Sequence, residues 1–213
     1  MTHSSPAFAV TSGHFLLGKH RVEALSDGLF AIVMTLLVLE LKVPELPRHP
    51  SNFEIYQAVA PMWRVLFSFG LTFGLASMFW MLQQTILTAT RCLDRLGTML
   101  HLTAMMFVAL MPFSTAMLGH FINNGFAMGL YFGNQFLVAL LLCLAWFREK
   151  LRRNIGEIPS EVEQKISLRV VSMTCVLLGA CIAGSLNPHY AFFGVLPALI
   201  GARIYRRKMN IAR

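Results

Sequence analysis

Residues 21–40, which read RVEALSDGLFAIVMTLLVLE, are the most informative part of this sequence. A polar opening that includes Ser26 and Asp27 runs directly into an uninterrupted apolar stretch. The apolar part, counted as Leu25–Leu41, approaches the roughly 20 residues that a membrane-spanning helix requires. We therefore expect this segment to form a transmembrane helix whose first turns carry unusual polar groups.

The rest of the chain has the composition of a multipass membrane protein. Hydrophobic residues make up 56% of the 213 residues and charged residues only 13%, whereas a soluble domain carries about 25% charged residues. So little polar surface argues against a cytosolic enzyme, a disordered chain and a secreted disulfide scaffold. The four cysteines have no metal-ligand spacing and are interpreted as free thiols, so no metal or cofactor is expected. Residues 1–20 contain no long apolar core, so no cleaved signal peptide is expected.

Six apolar segments are each close to the length of a membrane helix. They are Leu25–Leu41, Gln57–Leu82, Thr98–Leu118, Phe126–Phe147, Leu168–Leu186 and Tyr190–Tyr205. The sequence thus predicts an all-α membrane protein with six transmembrane helices. Its parts are a cytoplasmic N-terminal segment (1–24), a transmembrane domain (25–205) and a basic cytoplasmic tail (206–213). Pro112 and Pro197 lie within spans three and six, where proline is expected to kink a helix.

The distribution of Lys and Arg predicts the orientation of these spans. Two basic residues precede span one, two lie between spans two and three, six between spans four and five, and five from Arg203 to the end of the chain. The opposite side carries only Lys42 and Arg48, and Arg64 falls within span two. By the positive-inside rule both termini are expected on the cytoplasmic side of the cell's inner (plasma) membrane. The charged connection 148–167 is expected to extend the fourth helix into the cytoplasm.

Ser26 and Asp27 are unusual inside a span, because polar and ionisable groups there are costly unless they are paired. Arg21 lies six residues before Asp27 and does not share its helix face. Asp27 is therefore expected to bond to another helix. The open alternative is that Ser26 and Asp27 simply cap the start of the first helix.

One narrow face of the first helix is almost wholly apolar and contains a single hydroxyl. Its members are Gly28, Ile32, Thr35, Leu36 and Leu39. One interpretation is packing against a neighbouring helix through a small residue. The other is the wall of a pore formed by several copies of the chain. On the residues alone, packing is the favoured interpretation.

Residues 21–27 (RVEALSD), followed by Phe-Ala-Ile at 30–32 and Thr-Leu-Leu at 35–37, resemble the opening of the transmembrane protein 175 potassium-channel family. Bacterial members of that family are single six-helix repeats. Trp80 at the end of span two and the Pro-Phe-Ser-Thr stretch within 110–115 are weaker similarities. The length, the six spans and the predicted cytoplasmic termini agree with the resemblance over essentially the whole chain.

The sequence departs from the family pattern at a few positions. Leu25 replaces a phenylalanine, and Gln83 and Gln84 stand where histidines are common. Glutamine cannot titrate, which puts a pH response carried by those histidines in doubt. His101 could substitute as a network member, although a structural histidine is the preferred interpretation.

The resemblance implies a homotetramer in which the first helices of four copies line a central pore. The implied pore-lining and gate residues are Ile32, Thr35, Leu36 and Leu39, with Ile32 forming the narrowest ring. The implied polar network that braces the pore helix comprises Arg21, Ser26, Asp27 and Trp80. Glu40 would lie at the outer mouth. The chain has no Thr-Val-Gly-Tyr-Gly filter, so a hydrophobic gate with modest selectivity for potassium ions over sodium is expected.

Two other classes of function stay open from the residues. A secondary transporter of a small cation or solute, with or without proton coupling, would use paired broken helices, and Pro112 and Pro197 keep that alternative open. An intramembrane enzyme has the weakest support. The available acid, base and nucleophile types are Ser26, Asp27, His101 and His189, and they match no hydrolase or metalloprotease motif. We therefore expect no enzymatic activity and no nucleic-acid partner, only lipid, potassium ions and further copies of the chain.

Overall fold

The computed structural model describes residues 18–190, and this part of the chain is all-helical apart from one isolated bridge between Thr90 and Ile155. Its α-helices are α1 (Lys19–Leu37), α2 (Asn52–Val59), α3 (Trp63–Ala89), α4 (Arg95–Ala109), α5 (Met111–His120), α6 (Gly125–Leu151) and α7 (Ser160–Leu186). Short 3-10 turns occupy Val38–Glu40, Ala60–Met62 and Pro188–Tyr190.

Five helical segments in the described residues are long and apolar enough to cross a membrane. They correspond in order to the first five predicted spans, which confirms the all-α membrane class. The sixth predicted span, apart from Tyr190 at its start, lies outside the described residues, as do Pro197 and the tail 206–213.

The helices reach further on the predicted cytoplasmic side than the apolar segments do. α1 begins at Lys19 rather than Leu25, because Lys19 pairs with Glu23 one turn later, at 3.7 Å, and donates a 2.9 Å hydrogen bond to the carbonyl oxygen of Thr90. The first eight residues of α7 are likewise polar or charged in large part. The charged connection 148–167 extends the fourth membrane helix by one turn, to Leu151, as predicted, and it also supplies the first two turns of α7.

The third membrane helix is interrupted two residues before Pro112. α4 ends at Ala109 and α5 begins at Met111, with Leu110 at φ −84° and ψ −5° between them. Proline cannot donate a backbone hydrogen bond, and its ring clashes with the carbonyl group four residues earlier. The predicted kink is therefore present as a break between two short helices.

The end of α6 is fixed by a Schellman arrangement. The backbone N–H of Asn154 donates to the Glu149 carbonyl oxygen at 3.0 Å, and that of Arg153 donates to Lys150 at 3.1 Å. Arg153 has φ +53°, a left-handed conformation in which glycine or asparagine is usual. For a residue with a Cβ atom this conformation costs about 1 kcal/mol.

The core lies between α3, α4, α5, α6 and α7, and α1 packs on one side of it. Its largest fully buried side chains include Trp146, Tyr131, Phe79 and Phe132. α1 contributes Phe30, which is fully buried, to the same cluster. The core thus fixes one face of α1 and leaves the opposite face uncovered.

Candidate pore helix and its polar anchor

α1 has a buried face and an exposed face within the described part of the chain. Val33 is 2% exposed and Leu37 is fully buried, whereas Ile32 is 58% exposed and Leu39 is 66% exposed. The sequence-predicted stripe coincides with the exposed face. In residues 18–190 no heavy atom lies within 4 Å of the position that a Cβ atom on Gly28 would take, so the small residue of the stripe makes no close helix contact there. The packing interpretation therefore does not apply to the helices of residues 18–190.

Asp27 connects α1 to α3. Its carboxylate oxygen Oδ1 accepts a 2.8 Å hydrogen bond from the indole Nε1 of Trp80 and a short one from the amide Nε2 of Gln84. Trp80 and Gln84 are four residues apart, so they lie on the same face of α3. The expectation that Asp27 bonds to another helix agrees with this geometry.

Ser26 makes a second, buried connection to α3. Both Ser26 and Gln83 are fully buried, and the Gln83 amide Nε2 donates to the Ser26 hydroxyl at 3.0 Å. Helix α1 starts at Lys19 with Gly18 as its N-cap, so Ser26 and Asp27 lie two turns inside it. The interpretation that these two residues cap the helix start was wrong. The spacing Trp-x-x-Gln-Gln at residues 80–84 is the sequence signal from which these two connections between α1 and α3, together the polar anchor, could have been found.

The other predicted network and pore residues occupy different surroundings. The side chain of Arg21 is exposed and has no hydrogen bond or ion pair with residues 18–190. Glu40 is half-buried in the 3-10 turn that follows α1. Thr35 is exposed, and its hydroxyl donates to the carbonyl oxygen of Ile32 at 2.7 Å. His101 is fully buried, and neither of its ring nitrogens has a partner in the described residues.

A second polar group, which sequence analysis missed, joins α3, α5 and α6. The Thr72 hydroxyl lies 3.0 Å from the phenolic oxygen of Tyr131 and accepts a 2.8 Å hydrogen bond from Thr115. All three side chains are buried. Single Thr and Tyr residues in apolar spans carry little signal on their own, because only the fold brings positions 72, 115 and 131 together.

A third polar group closes the predicted cytoplasmic end of the bundle. Arg148 donates to Asp94 and to the buried Glu149, both at 2.5 Å, and Arg152 also donates to Asp94. Asp94 in turn accepts from the backbone N–H of Gly97 at 2.9 Å and caps α4. The hydrogen bond from the Arg148 guanidinium holds the pKa of the Asp94 carboxyl far below its usual value of 3.8.

No group of three or more metal-ligating side chains that could hold an ion occurs in residues 18–190. The described residues define a multipass helical membrane protein. Its first helix, α1, is held to the rest of the bundle by polar contacts and exposes an apolar face.

Comparisons with known proteins show which sequences and structures this helical bundle resembles. A family model described as the endosomal/lysosomal potassium channel TMEM175 matches residues 21–112. The fold superposes on the crystal structure of a lysosomal potassium-selective channel TMEM175 homolog from Chamaesiphon minutus with a TM-score of 0.73 and 22% identity. That match covers 86% of this chain and 96% of the other. The chain is thus similar to the TMEM175 family over residues 21–112 and in fold, which confirms the resemblance seen in residues 21–37.

Two curated relatives are named as potassium channels. One, from Streptomyces collinus, is 31% identical over 126 residues, which are 59% of this chain and 60% of the relative. The other, from Chamaesiphon minutus, is 28% identical over 129 residues, which are 59% of this chain and 63% of the relative. The matched region thus spans about three fifths of these relatives. Both are channels, which agrees with the expectation that the chain is not an enzyme.

Proposed function

We propose that this protein is a potassium-permeable cation channel, modestly selective over sodium, in which four copies surround a pore lined by α1. The observation that carries the proposal is the uncovered apolar face of α1, where Ile32, Leu36 and Leu39 are 58%, 42% and 66% exposed. The naming of both curated relatives as potassium channels supports the choice of ion. The proposed location is the plasma membrane, with both termini in the cytoplasm.

The position of Asp27 argues that the exposed side of α1 does not face lipid. Asp27 is exposed in the single chain although it lies within the first predicted span, Leu25–Leu41. A carboxylate in contact with lipid is costly, and such groups face a bundle interior or a water-filled cavity. Assembly of several chains around α1 would provide that environment.

The chemistry of the α1 face suggests how an ion would be controlled. The Ile32 and Leu39 side chains carry no atom that can replace the water around an ion, so narrow rings of them would exclude water and close the pore. The Thr35 hydroxyl proton is engaged by the Ile32 carbonyl oxygen, which leaves its lone pairs for a passing cation. Potassium holds its hydration water less strongly than sodium does, so such a ring favours potassium by a modest factor.

The polar anchor would hold the pore helix in place. Asp27 and Ser26 fix α1 to α3 at two adjacent positions, one exposed and one buried. Both lie on the predicted cytoplasmic side of the Ile32 ring. The attachment of α1 to α3 at this point would set the distance between the Ile32 side chains of opposing copies, and therefore the width of the gate.

Ion flux into vesicles tests the proposal. The purified protein would be reconstituted, and potassium and sodium entry would be measured alongside the mass of the intact oligomer. We expect a tetramer, flux far faster than a transporter cycle, and faster entry of potassium than of sodium. A saturable flux that requires a coupled ion would indicate a transporter, and a protein that is monomeric in its active form would contradict the α1-lined pore.

A further inference from the structure

A basic cavity lies where the α3–α4 and α6–α7 connections meet. It has a volume of about 370 Å³ and is lined by Arg91, Cys92, Asp94, Arg152, Arg153 and Asn154. The lining contains three arginines and one aspartate, so it carries a net positive charge. No step of the proposed ion pathway uses this cavity.

The walls of the cavity are fixed by hydrogen bonds between the two connections. The backbone N–H of Arg91 donates to the Asn154 carbonyl oxygen at 2.9 Å, and that of Gly156 donates to Ala89 at 2.8 Å. The Asn154 amide Nδ2 also donates to the Cys92 carbonyl oxygen at 2.6 Å. The cavity is therefore preorganised, and a ligand would not have to order the two connections.

Two of the three guanidinium groups are available to a ligand. Arg152 is bonded to Asp94, whereas the side chains of Arg91 and Arg153 are exposed and have no hydrogen bond or ion pair with residues 18–190. Arg153 also holds the left-handed position at the end of α6, where an arginine is unusual. The planar guanidinium fork matches the oxygen atoms of a phosphate group.

The surroundings of the cavity match the boundary between membrane and water. Leu151, directly before two of the lining arginines, is 84% exposed, and Leu96, two residues after Asp94, is 64% exposed. An exposed leucine beside each arginine-bearing connection offers an apolar surface for an acyl chain next to a site for its headgroup. Basic pockets between membrane helices on the cytoplasmic side are known to bind acidic headgroups.

We propose that this cavity binds a phosphate-bearing anion through Arg91 and Arg153, and that the headgroup of an acidic phospholipid of the cytoplasmic leaflet is its source. The same oxygen chemistry is offered by free phosphate, which lacks the acyl chains that would cover Leu151 and Leu96. The two sources can thus be separated by experiment.

Binding of short-chain lipids to the purified protein in detergent tests the proposal. Native mass spectrometry would measure bound dioctanoyl phosphatidylglycerol, with inorganic phosphate as competitor and dioctanoyl phosphatidylcholine as the zwitterionic reference. We expect phosphatidylglycerol to bind more tightly than phosphatidylcholine. If inorganic phosphate displaces little phosphatidylglycerol, the lipid is the ligand. If phosphate displaces all of it, free phosphate is sufficient for binding, which would overturn the assignment to a lipid.

The variants Arg91→Asn and Arg153→Asn should each weaken phosphatidylglycerol binding about fivefold. Asparagine suits the left-handed position, so Arg153→Asn should keep or raise the unfolding temperature, and weaker binding cannot then be attributed to misfolding. Arg169→Asn, at an exposed position on α7 outside the cavity, is the matched control and should leave binding unchanged. Absence of binding to the wild type, or equal affinities for all three variants, would overturn the proposal.

Discussion

At the scale of single residues, Asp27 has the role that the structure defines most clearly. It is an exposed carboxylate within a spanning helix, and both of its hydrogen-bond donors come from α3. Removing the carboxylate would leave the Trp80 indole N–H and the Gln84 amide without this acceptor. The wild-type contact thus links the position of α1 to that of α3.

A double-mutant cycle measures this link. Asp27→Ala and Trp80→Phe should each lower the folded yield, and their effects on the unfolding free energy in detergent should be coupled by about 1 kcal/mol. Trp63→Phe, at another exposed tryptophan on the same helix, should show no coupling with Asp27→Ala. Strictly additive effects of Asp27→Ala and Trp80→Phe would show that the hydrogen bond does not stabilise the fold.

The neighbouring residues Asn134 and Gln135 should respond in opposite directions to the same substitution. The Asn134 amide donates to the Phe107 carbonyl oxygen at 3.1 Å, close to the break before α5, whereas neither polar atom of the buried Gln135 side chain has a partner in residues 18–190. Asn134→Leu should destabilise the protein by about 1 kcal/mol, and Gln135→Leu should be neutral or stabilising. Thermal unfolding of both variants in detergent tests this, and a stabilising Asn134→Leu would argue against the bond.

At the scale of helices, the Asp94 cluster joins the start of α4 to the end of α6. The pKa of Asp94 in the folded protein is lowered from 3.8, chiefly by the hydrogen bond from Arg148. A lowered folded pKa means that the stabilisation is fully present well above 3.8, from about pH 5 upward, and is lost as the pH falls through and below that value. The junction should therefore weaken on acidification.

Unfolding temperatures measured as a function of pH test this dependence. The difference between wild type and Asp94→Asn should be constant from about pH 5 to pH 7 and should shrink below about pH 4. Glu161→Gln, in the exposed first turn of α7, is the control and should follow the wild-type profile. If the difference in unfolding temperature between wild type and Asp94→Asn grew on acidification, the pH dependence would have the opposite sign to the expected one. The Asp94 cluster would then be excluded as its cause.

The positions of the helices could be predicted from the sequence better than their ends and their partners. Apolar runs located five spans, since membrane insertion depends on hydrophobic length. The early starts of α1 and α7 could not be seen, because polar turns outside the bilayer carry no apolar signal. The contact between Asp94 and Arg148 joins residues 54 positions apart, which no local pattern records.

The anchor and the pore face illustrate the same limit. The motif around Ser26 and Asp27 pointed to α3 through Trp80, whereas Gln83 and Gln84 were noted only as departures from a family pattern, and both proved to be donors. Periodicity placed Ile32 and Leu39 on one face, but it could not show whether that face was covered. Only the packing of α1 on the core answered that question.

At the scale of the whole molecule, the charge distribution predicts that both termini are cytoplasmic. Reporter fusions at Met1 and Arg213 should both give cytoplasmic signals, because most Lys and Arg residues lie in connections on that side. Single-cysteine labelling at Arg48 and Arg153, in a cysteine-free background, should report opposite sides. An external signal from one terminus alone would require an odd number of spans and contradict the six-helix topology.

The central claim is that the exposed face of α1 lines an ion pathway, and potassium flux through Ile32→Asn tests it most directly. Ile182 on α7 is the matched control, because it is also an isoleucine in a spanning helix and is 54% exposed, compared with 58% for Ile32. In reconstituted vesicles, Ile32→Asn should raise potassium flux well above the wild-type level, since four amides would keep the narrow ring hydrated. Ile182→Asn should leave flux unchanged. Equal effects of the two variants, or altered flux from Ile182→Asn alone, would contradict the claim.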